Sequence, residues 1–211
     1  VYGSLNFNQK SSEETDTLKP SSPYSASKAA AEIICQANFI TFKQPVIITR
    51  SSNNFGPYQF PEKVIPLFVT NLLINKKVPL YGTGKNVRDW LYVEDHCRAI
   101  EMVLLNGEIG QTYCVGGLKK DVSNLEIIEC ILKILKKDKS LIRFVTDRPG
   151  HDRKYAINWS KINQDLGWIP SHSLEDWLEK TVVWYRENTA WWKKLKNKKF
   201  LEFYNKQYPK P

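Results

Sequence analysis

Two residues able to move a proton stand close together near one end of the chain. Tyr24 and Lys28 fall in Pro23-Tyr24-Ser25-Ala26-Ser27-Lys28, which opens a helical pattern running to about Phe42. On a helix, four-residue spacing puts both side chains on one face, one turn apart. A phenol titrates near ~10 in model peptides, so it serves as a base at neutral pH only beside a positive charge. Lys28 is positioned to supply that charge. An ordinary surface pair satisfies the same spacing, and lysine is abundant here. Tyr81 and Lys85 repeat it across Gly82 and Gly84, where a turn would not stack two side chains. Only the neighbouring residues can separate the two readings.

The elements around the pair read as alternating helix and strand. Ser, Glu, Thr and Pro dominate residues 5–22, as in a loop, and Pro23 suits a first helical turn. Ala29-Ala30-Ala31-Glu32-Ile33-Ile34 has high helix propensity, with Ile33, Ala37 and Ile40 on one stripe. Val46-Ile47-Ile48-Thr49-Arg50 is a short β-branched run of the kind buried on both faces. Helix followed by buried strand implies βαβ organisation and a parallel sheet. Further helices are expected over 62–75, 94–105, 124–135, 160–166, 174–188 and from Trp191 onward, with strands near 79–81, 111–115 and 142–145.

Beyond the first strand lies Ser51-Ser52-Asn53-Asn54-Phe55-Gly56-Pro57. Ligands bind beyond the carboxyl ends of parallel strands, although a plain turn has the same composition. Arg88, in Arg88-Asp89-Trp90-Leu91-Tyr92-Val93, needs an anion, from Asp89 or from a ligand phosphate. Asp147 to Tyr155 is dense in ionisable groups and too structured for a linker. Gly82-Thr83-Gly84-Lys85 is no phosphate loop, because Pro79 and Asn86 stand where Gly and Ser or Thr are required.

The 211 residues can bury a substantial core in one or two domains, and 42 % hydrophobic with 25 % charged residues is ordinary for a globular chain. No apolar run reaches the ~18 residues of a membrane span, and no signal peptide opens the sequence. Cys35, Cys97, Cys114 and Cys130 lack metal-ligand spacing; mostly buried, reduced thiols in the cytoplasm are expected. Net charge is +9, concentrated in Lys193, Lys194, Lys196, Lys198 and Lys199. A basic, aromatic fragment could bind nucleic acid. The preferred reading is an amphipathic terminal helix whose aromatics dock while its lysines stay in water.

Taken together these stretches resemble the dTDP-glucose 4,6-dehydratases of the extended short-chain dehydrogenase/reductase superfamily. Five segments carry the resemblance: 22–28, 52–63, 88–95, 147–153 and 180–185. The fold it implies is α/β, the C-terminal part of a Rossmann-like parallel sheet plus a smaller α/β nucleotide-sugar-binding domain. Residues 1–51 and 93–118 would belong to the NAD-binding domain, and 52–92 and 119–211 to the substrate domain. Tyr24 would take the sugar 4-hydroxyl proton while hydride leaves C4 for NAD⁺, with Lys28 on the nicotinamide ribose. Asn54 would contact the cofactor and Asn53 the substrate. Lys63, Val64, Leu80, Tyr81 and Asn124 would line the nucleotide and sugar pocket. Arg88 and Arg148 would face the pyrophosphate, with His151 beside it, and Tyr208 would add a substrate contact. Oxidation at C4 acidifies the C5 proton, water leaves across C5 and C6, and hydride returns to C6. The implied partner is dTDP-glucose, in a homodimer, with no metal, nucleic acid or membrane. UDP- or GDP-sugar epimerases, dehydratases and decarboxylases would share Tyr24 and Lys28.

Members of that family carry Thr-Asp-Glu ahead of a Val-Tyr-Gly, and this sequence starts at Val1-Tyr2-Gly3. The glycine-rich dinucleotide fingerprint has no counterpart either. A truncated chain is therefore expected, one that alone neither binds NAD⁺ tightly nor turns over.

Overall fold

Helix α1 (Pro23–Phe42) begins where its local chemistry dictates. Ser22 accepts the Ser25 N–H while the Ser25 side chain answers the Ser22 backbone, and Pro23 occupies a first-turn position where no N–H is required. Lys43 closes the helix in the left-handed region at φ 56°, its N–H returning to Phe39 O. A computed structural model describes residues 1–118, 120–147 and 150–209. After α1 come β1 (Ile48–Ser51), β2 (Asn53–Phe55), α2 (Val64–Leu73), β3 (Val78–Tyr81), β4 (Val87–Arg88), β5 (Trp90–Tyr92), α3 (Val93–Asn106), β6 (Thr112–Val115) and β7 (Val122–Ser123). They are followed by α4 (Asn124–Leu135), β8 (Ile142–Val145), β9 (Lys154–Tyr155), α5 (Ser160–Leu166), α6 (Leu174–Glu187), α7 (Thr189–Leu195) and α8 (Lys198–Gln207).

The expected α/β fold with parallel strands is present. β1 runs parallel to β6 from Ile48↔Thr112 to Ser51↔Val115, and β3 runs parallel to β8 from Val78↔Ile142 to Tyr81↔Val145. Three details differ from expectation. Asn53 and Asn54 form a strand rather than a loop, with the Asn53 N–H on Asp89 O at 3.0 Å. The basic terminal stretch is two helices, because Asn197 caps α8 by accepting the Phe200 N–H. The stripe Ile33, Ala37 and Ile40 faces outward, and α1 buries Ala29 and Glu32 instead.

The chain divides into two compact units. The first comprises Val1–Asn54, Asn86–Asp121 and Pro149–Ser171. Residues 86–92 and 149–171 thus sit with the Tyr24 unit, a different division from the one the sequence suggested. β9 explains it by pairing parallel with β4, Val87↔Lys154. Lys154 then binds Asp121 Oδ2 at 2.8 Å and Gln9 O at 2.9 Å, and α5 packs on α3 and β6. Leu91, Ala99, Val103, Tyr113, Val115, Ile162 and Trp168 form the core, and the Trp168 indole N–H reaches Asp95 O at 3.1 Å.

The second unit comprises Phe55–Lys85, Val122–Arg148 and His172–Pro211. Helices α2, α4 and α6 pack on one another, burying Val69, Leu72, Ile127, Ile128, Ile131, Leu178 and Val182. Capping boxes start two of them, Ser123 with Glu126 and Ser173 with Asp176, each worth about 1 kcal/mol. Tyr185 donates to Gln59 O at 2.6 Å, and the Trp192 indole to Tyr185 O at 2.7 Å. All four cysteines are free, but only Cys114 is buried; Cys97 is exposed, and Cys35 and Cys130 are half-buried. The thiols are thus less buried than expected. Among the described residues no helix is long and apolar enough to cross a membrane, and no three His, Cys, Asp or Glu are grouped to hold a metal.

Candidate active site

In the first unit α1 turns one face toward β1 and encloses a cavity of about 490 Å³. Tyr24, Lys28 and Glu32 follow one another at four-residue intervals along that face, and Arg50, Ser51 and Tyr155 line the opposite wall. Residues 46–51, which include all of β1, line the cavity as well.

Electrostatics assign different tasks to the groups in this cavity. Glu32 is paired with Arg50, whose Nε donates to Glu32 Oε1 at 2.8 Å, and both side chains are over nine-tenths buried. The Arg50 guanidinium also reaches the Tyr2 hydroxyl and Glu14 O. Glu32 is thereby kept from Lys28, one turn away. Burial, with a lesser push from Asp89, raises the Tyr155 phenol, which donates to Ser51 O at 3.0 Å. Burial also raises the Tyr2 phenol. Both phenols are held protonated, Tyr155 as a donor and Tyr2 as an acceptor from Arg50. Tyr24 is 76 % exposed, and among the described residues neither its hydroxyl nor the Lys28 ammonium has a hydrogen-bond partner. Of the three phenols only Tyr24 is exposed.

Asp89 organises the strand ends beside the cavity. Its backbone N–H binds Tyr155 O, its O accepts from Asn53, and its Oδ1 accepts from Gly117 and Leu118 N–H at 3.0 and 2.9 Å. Burial pushes this carboxyl up to about 7 against the pull of those N–H groups. Gly117 is required for the close approach, since a Cβ there would lie 1.8 Å from Trp90 O. Arg88 is 7 % exposed and donates to Val87 O at 2.6 Å. Asn54 Nδ2 is held by Ser52 O at 3.2 Å, and His151 is half-buried.

In the second unit the structure brings together Tyr81 and Tyr208, with ring centroids 5.5 Å apart at 40°. Asn124 is buried at the first turn of α4, and its Oδ1 has no hydrogen-bond partner among the described residues. A buried orphan acceptor suits a donor brought by a ligand. Lys63, ahead of α2, is exposed and 3.1 Å from Glu62; Val64 is half-buried. Leu80 is 2 % exposed, because strand alternation sends it inward while Tyr81 faces out. Only its backbone could meet a ligand. Arg148 lies outside the described residues.

Sequence reasoning did not single out Glu32, Arg50, Tyr155 or Asp89 in these roles. Glu32 alone had a visible signal, as the third member of the Tyr24-Lys28 stripe. A dinucleotide fits this unit in part: the ammonium and hydroxyls around the cavity suit a ribose diol, whereas no glycine-rich phosphate loop occurs in the sequence.

An α/β fold with parallel strands and a Tyr-Lys pair beside one of them defines the short-chain dehydrogenase class. Within it, residues 1–181 match the family described as GDP-mannose 4,6 dehydratase, and the chain belongs to that family. It is 44 % identical over 208 residues to the dTDP-glucose 4,6-dehydratase of Neisseria meningitidis serogroup B, covering 93 % of this chain and 58 % of the relative. The crystal structure of dTDP-glucose 4,6-dehydratase from Bacillus anthracis in complex with NAD superposes with a TM-score of 0.89 at 51 % identity, over 92 % of this chain and 61 % of that one. A UDP-glucuronic acid 4-epimerase from Bacillus cereus, solved with UDP-glucuronic acid and NAD, gives a TM-score of 0.82 at 28 % identity, over 89 % and 59 %. The chain thus spans about three-fifths of the length of the relatives it matches.

Proposed function

We propose that this chain carries the C4-oxidation and nucleotide-sugar-binding parts of an NAD-dependent dTDP-glucose 4,6-dehydratase. The observation that carries the reading is that Tyr24 and Lys28, one turn apart on α1, line one cavity beside β1. Bound NAD⁺ would take the C4 hydride and give it back at C6. Tyr24 Oη takes the proton of the sugar 4-hydroxyl, and Lys28, left free by the Glu32–Arg50 pair, lowers the cost of the phenolate. Tyr155 and Asp89 hold the strand ends from which Asn53, Asn54 and Arg88 reach substrate and cofactor. In the second unit Lys63, Val64, Tyr81, Asn124 and Tyr208 would receive the nucleotide, and in the first Arg88 and His151 would serve phosphate oxygens. Arginine suits that place because its planar fork matches phosphate oxygens.

Greater likeness to dTDP-glucose dehydratases than to the epimerase supports dehydration over epimerisation. The outward Ile33, Ile34 and Ile40 of α1 support self-association as a homodimer, and four free cysteines support a cytoplasmic setting. The test offers dTDP-, UDP- and GDP-hexoses with NAD⁺ to the protein expressed from its complete reading frame and follows product mass. Loss of one water from dTDP-glucose is expected. Loss of carbon dioxide, an unchanged mass with inverted C4, or preference for another nucleotide would overturn the reading.

A further inference from the structure

In the register of β3 and β8, Pro79 lies opposite Arg143 and Tyr81 opposite Val145. Side chains two apart on a strand share a face, so Arg143 and Tyr81 emerge on the same side of this two-stranded sheet. The end of α8 covers that side. Arg143 Nη2 donates to Tyr208 O at 3.2 Å and Nη1 to Pro209 O at 3.3 Å. One guanidinium thus holds two successive carbonyls, and a cation at a helix C-terminus is favoured by the helix dipole. Gln207 Nε2 donates to the Tyr81 hydroxyl, and the Tyr208 ring lies against both Tyr81 and Tyr204, centroids 5.5 and 5.0 Å apart. Tyr81, Arg143 and Tyr208 are all only half-buried, so the ring pair presents an open aromatic surface with fixed polar edges.

We propose that Arg143 and Gln207 are positioning residues that fasten residues 207–209 and set the Tyr208 ring beside Tyr81 as a stacking surface for the nucleobase of the nucleoside diphosphate. This rests on the nucleotide-sugar reading above. Arg143 acts through the two carbonyls and not on phosphate, since both of its terminal nitrogens are turned to Tyr208 and Pro209. A planar base gains affinity by stacking on one well-placed aromatic ring, and a Tyr208 that has lost its anchor forfeits most of that gain.

Calorimetric titration of the protein expressed from its complete reading frame with dTDP, and separately with inorganic pyrophosphate, tests this. Arg143→Ala is expected to weaken dTDP binding on the order of 10-fold and to leave pyrophosphate binding unchanged. Arg143→Lys, able to reach one carbonyl, should recover part of the loss, and Gln207→Ala should weaken dTDP binding about 3-fold. Equal weakening toward both ligands would make Arg143 a direct phosphate contact and overturn the proposal. So would an Arg143→Ala chain that binds dTDP as the unaltered chain does. Should Arg143→Ala fail to fold, Tyr208→Leu takes its place, and undiminished dTDP binding there is equally contrary. An unaltered chain that binds pyrophosphate but gains nothing from the thymidine would instead defeat the dTDP reading itself, and the inference with it.

Discussion

Lys28 and Lys196 each stand four residues after an aromatic residue, and they have opposite surroundings. Lys28 follows Tyr24 on α1 and projects into a cavity, with no hydrogen-bond or ion-pair partner among the described residues. Lys196 follows Trp192 in the second unit, and its Nζ is 2.8 Å from Asn71 Oδ1, 5.6 Å from the Trp192 ring and 5.4 Å from Phe200. Burial, helped by the charge of Lys76, pushes Lys196 down to about 7, while the ring faces oppose that shift. Lys28 is kept available because Arg50 has claimed Glu32; Lys196 is used up in holding α7 and α8 on their unit. The same sequence signature thus marks chemistry in one place and packing in the other, and what decides is which neighbours claim the ammonium.

The contrast breaks most sharply at Tyr24. Tyr24→Phe should lower the oxidation rate of the protein from the complete reading frame by a factor on the order of 10²–10⁴, with thermal stability unchanged because the side chain is exposed. An unaltered rate would remove Tyr24 from the chemistry. Next is Glu32→Ala, which leaves a buried arginine unpaired and should cost about 3–5 kcal/mol in urea unfolding. Glu32→Leu with Arg50→Met should recover most of that cost, and an equally unstable double variant would mean the pair matters for more than its charge.

The smallest effect is at Lys196. Its folded pKa of about 7 lies below its usual 10.5, so the unfolded chain binds more protons between those values. Stability should rise with pH across that window, by ~1 kcal/mol or less once screening and the rings are counted. Lys196→Met should flatten the rise without altering turnover. A slope that survives the substitution would show that Lys196 does not titrate in this window.

Only the Lys28 side of this contrast was legible in the sequence; Lys196, read there as staying in water, is half-buried and held by Asn71. Helix periodicity, the Ser22-Pro23 start and the β-branched run at 46–50 placed α1 and β1 correctly, because local propensity and burial agree there. The resemblance brought Tyr24 and Lys28 together before any contact was known. What stayed hidden depends on long-range pairing. Asn53 and Asn54 have turn composition, yet Asp89 draws Asn53 into an extended strand. Lys154 looked like one charge among many in its loop, yet it anchors residues 149–171 to the Tyr24 unit. The outward stripe of α1 was not foreseen, since the face that turns inward carries Glu32, whose buried partner Arg50 lies on a different element.

The central proposal is that Tyr24, beside Lys28, takes the proton of a sugar 4-hydroxyl while bound NAD⁺ would accept the C4 hydride, and that the same hydride finishes at C6. dTDP-glucose carrying deuterium at C4 tests it directly, with NAD⁺ and the protein from its complete reading frame, by mass and NMR of the product. The account predicts a product that has lost one water and carries the deuterium at C6. Deuterium retained at C4, or a product that has lost water with ordinary hydrogen at C6, would contradict it.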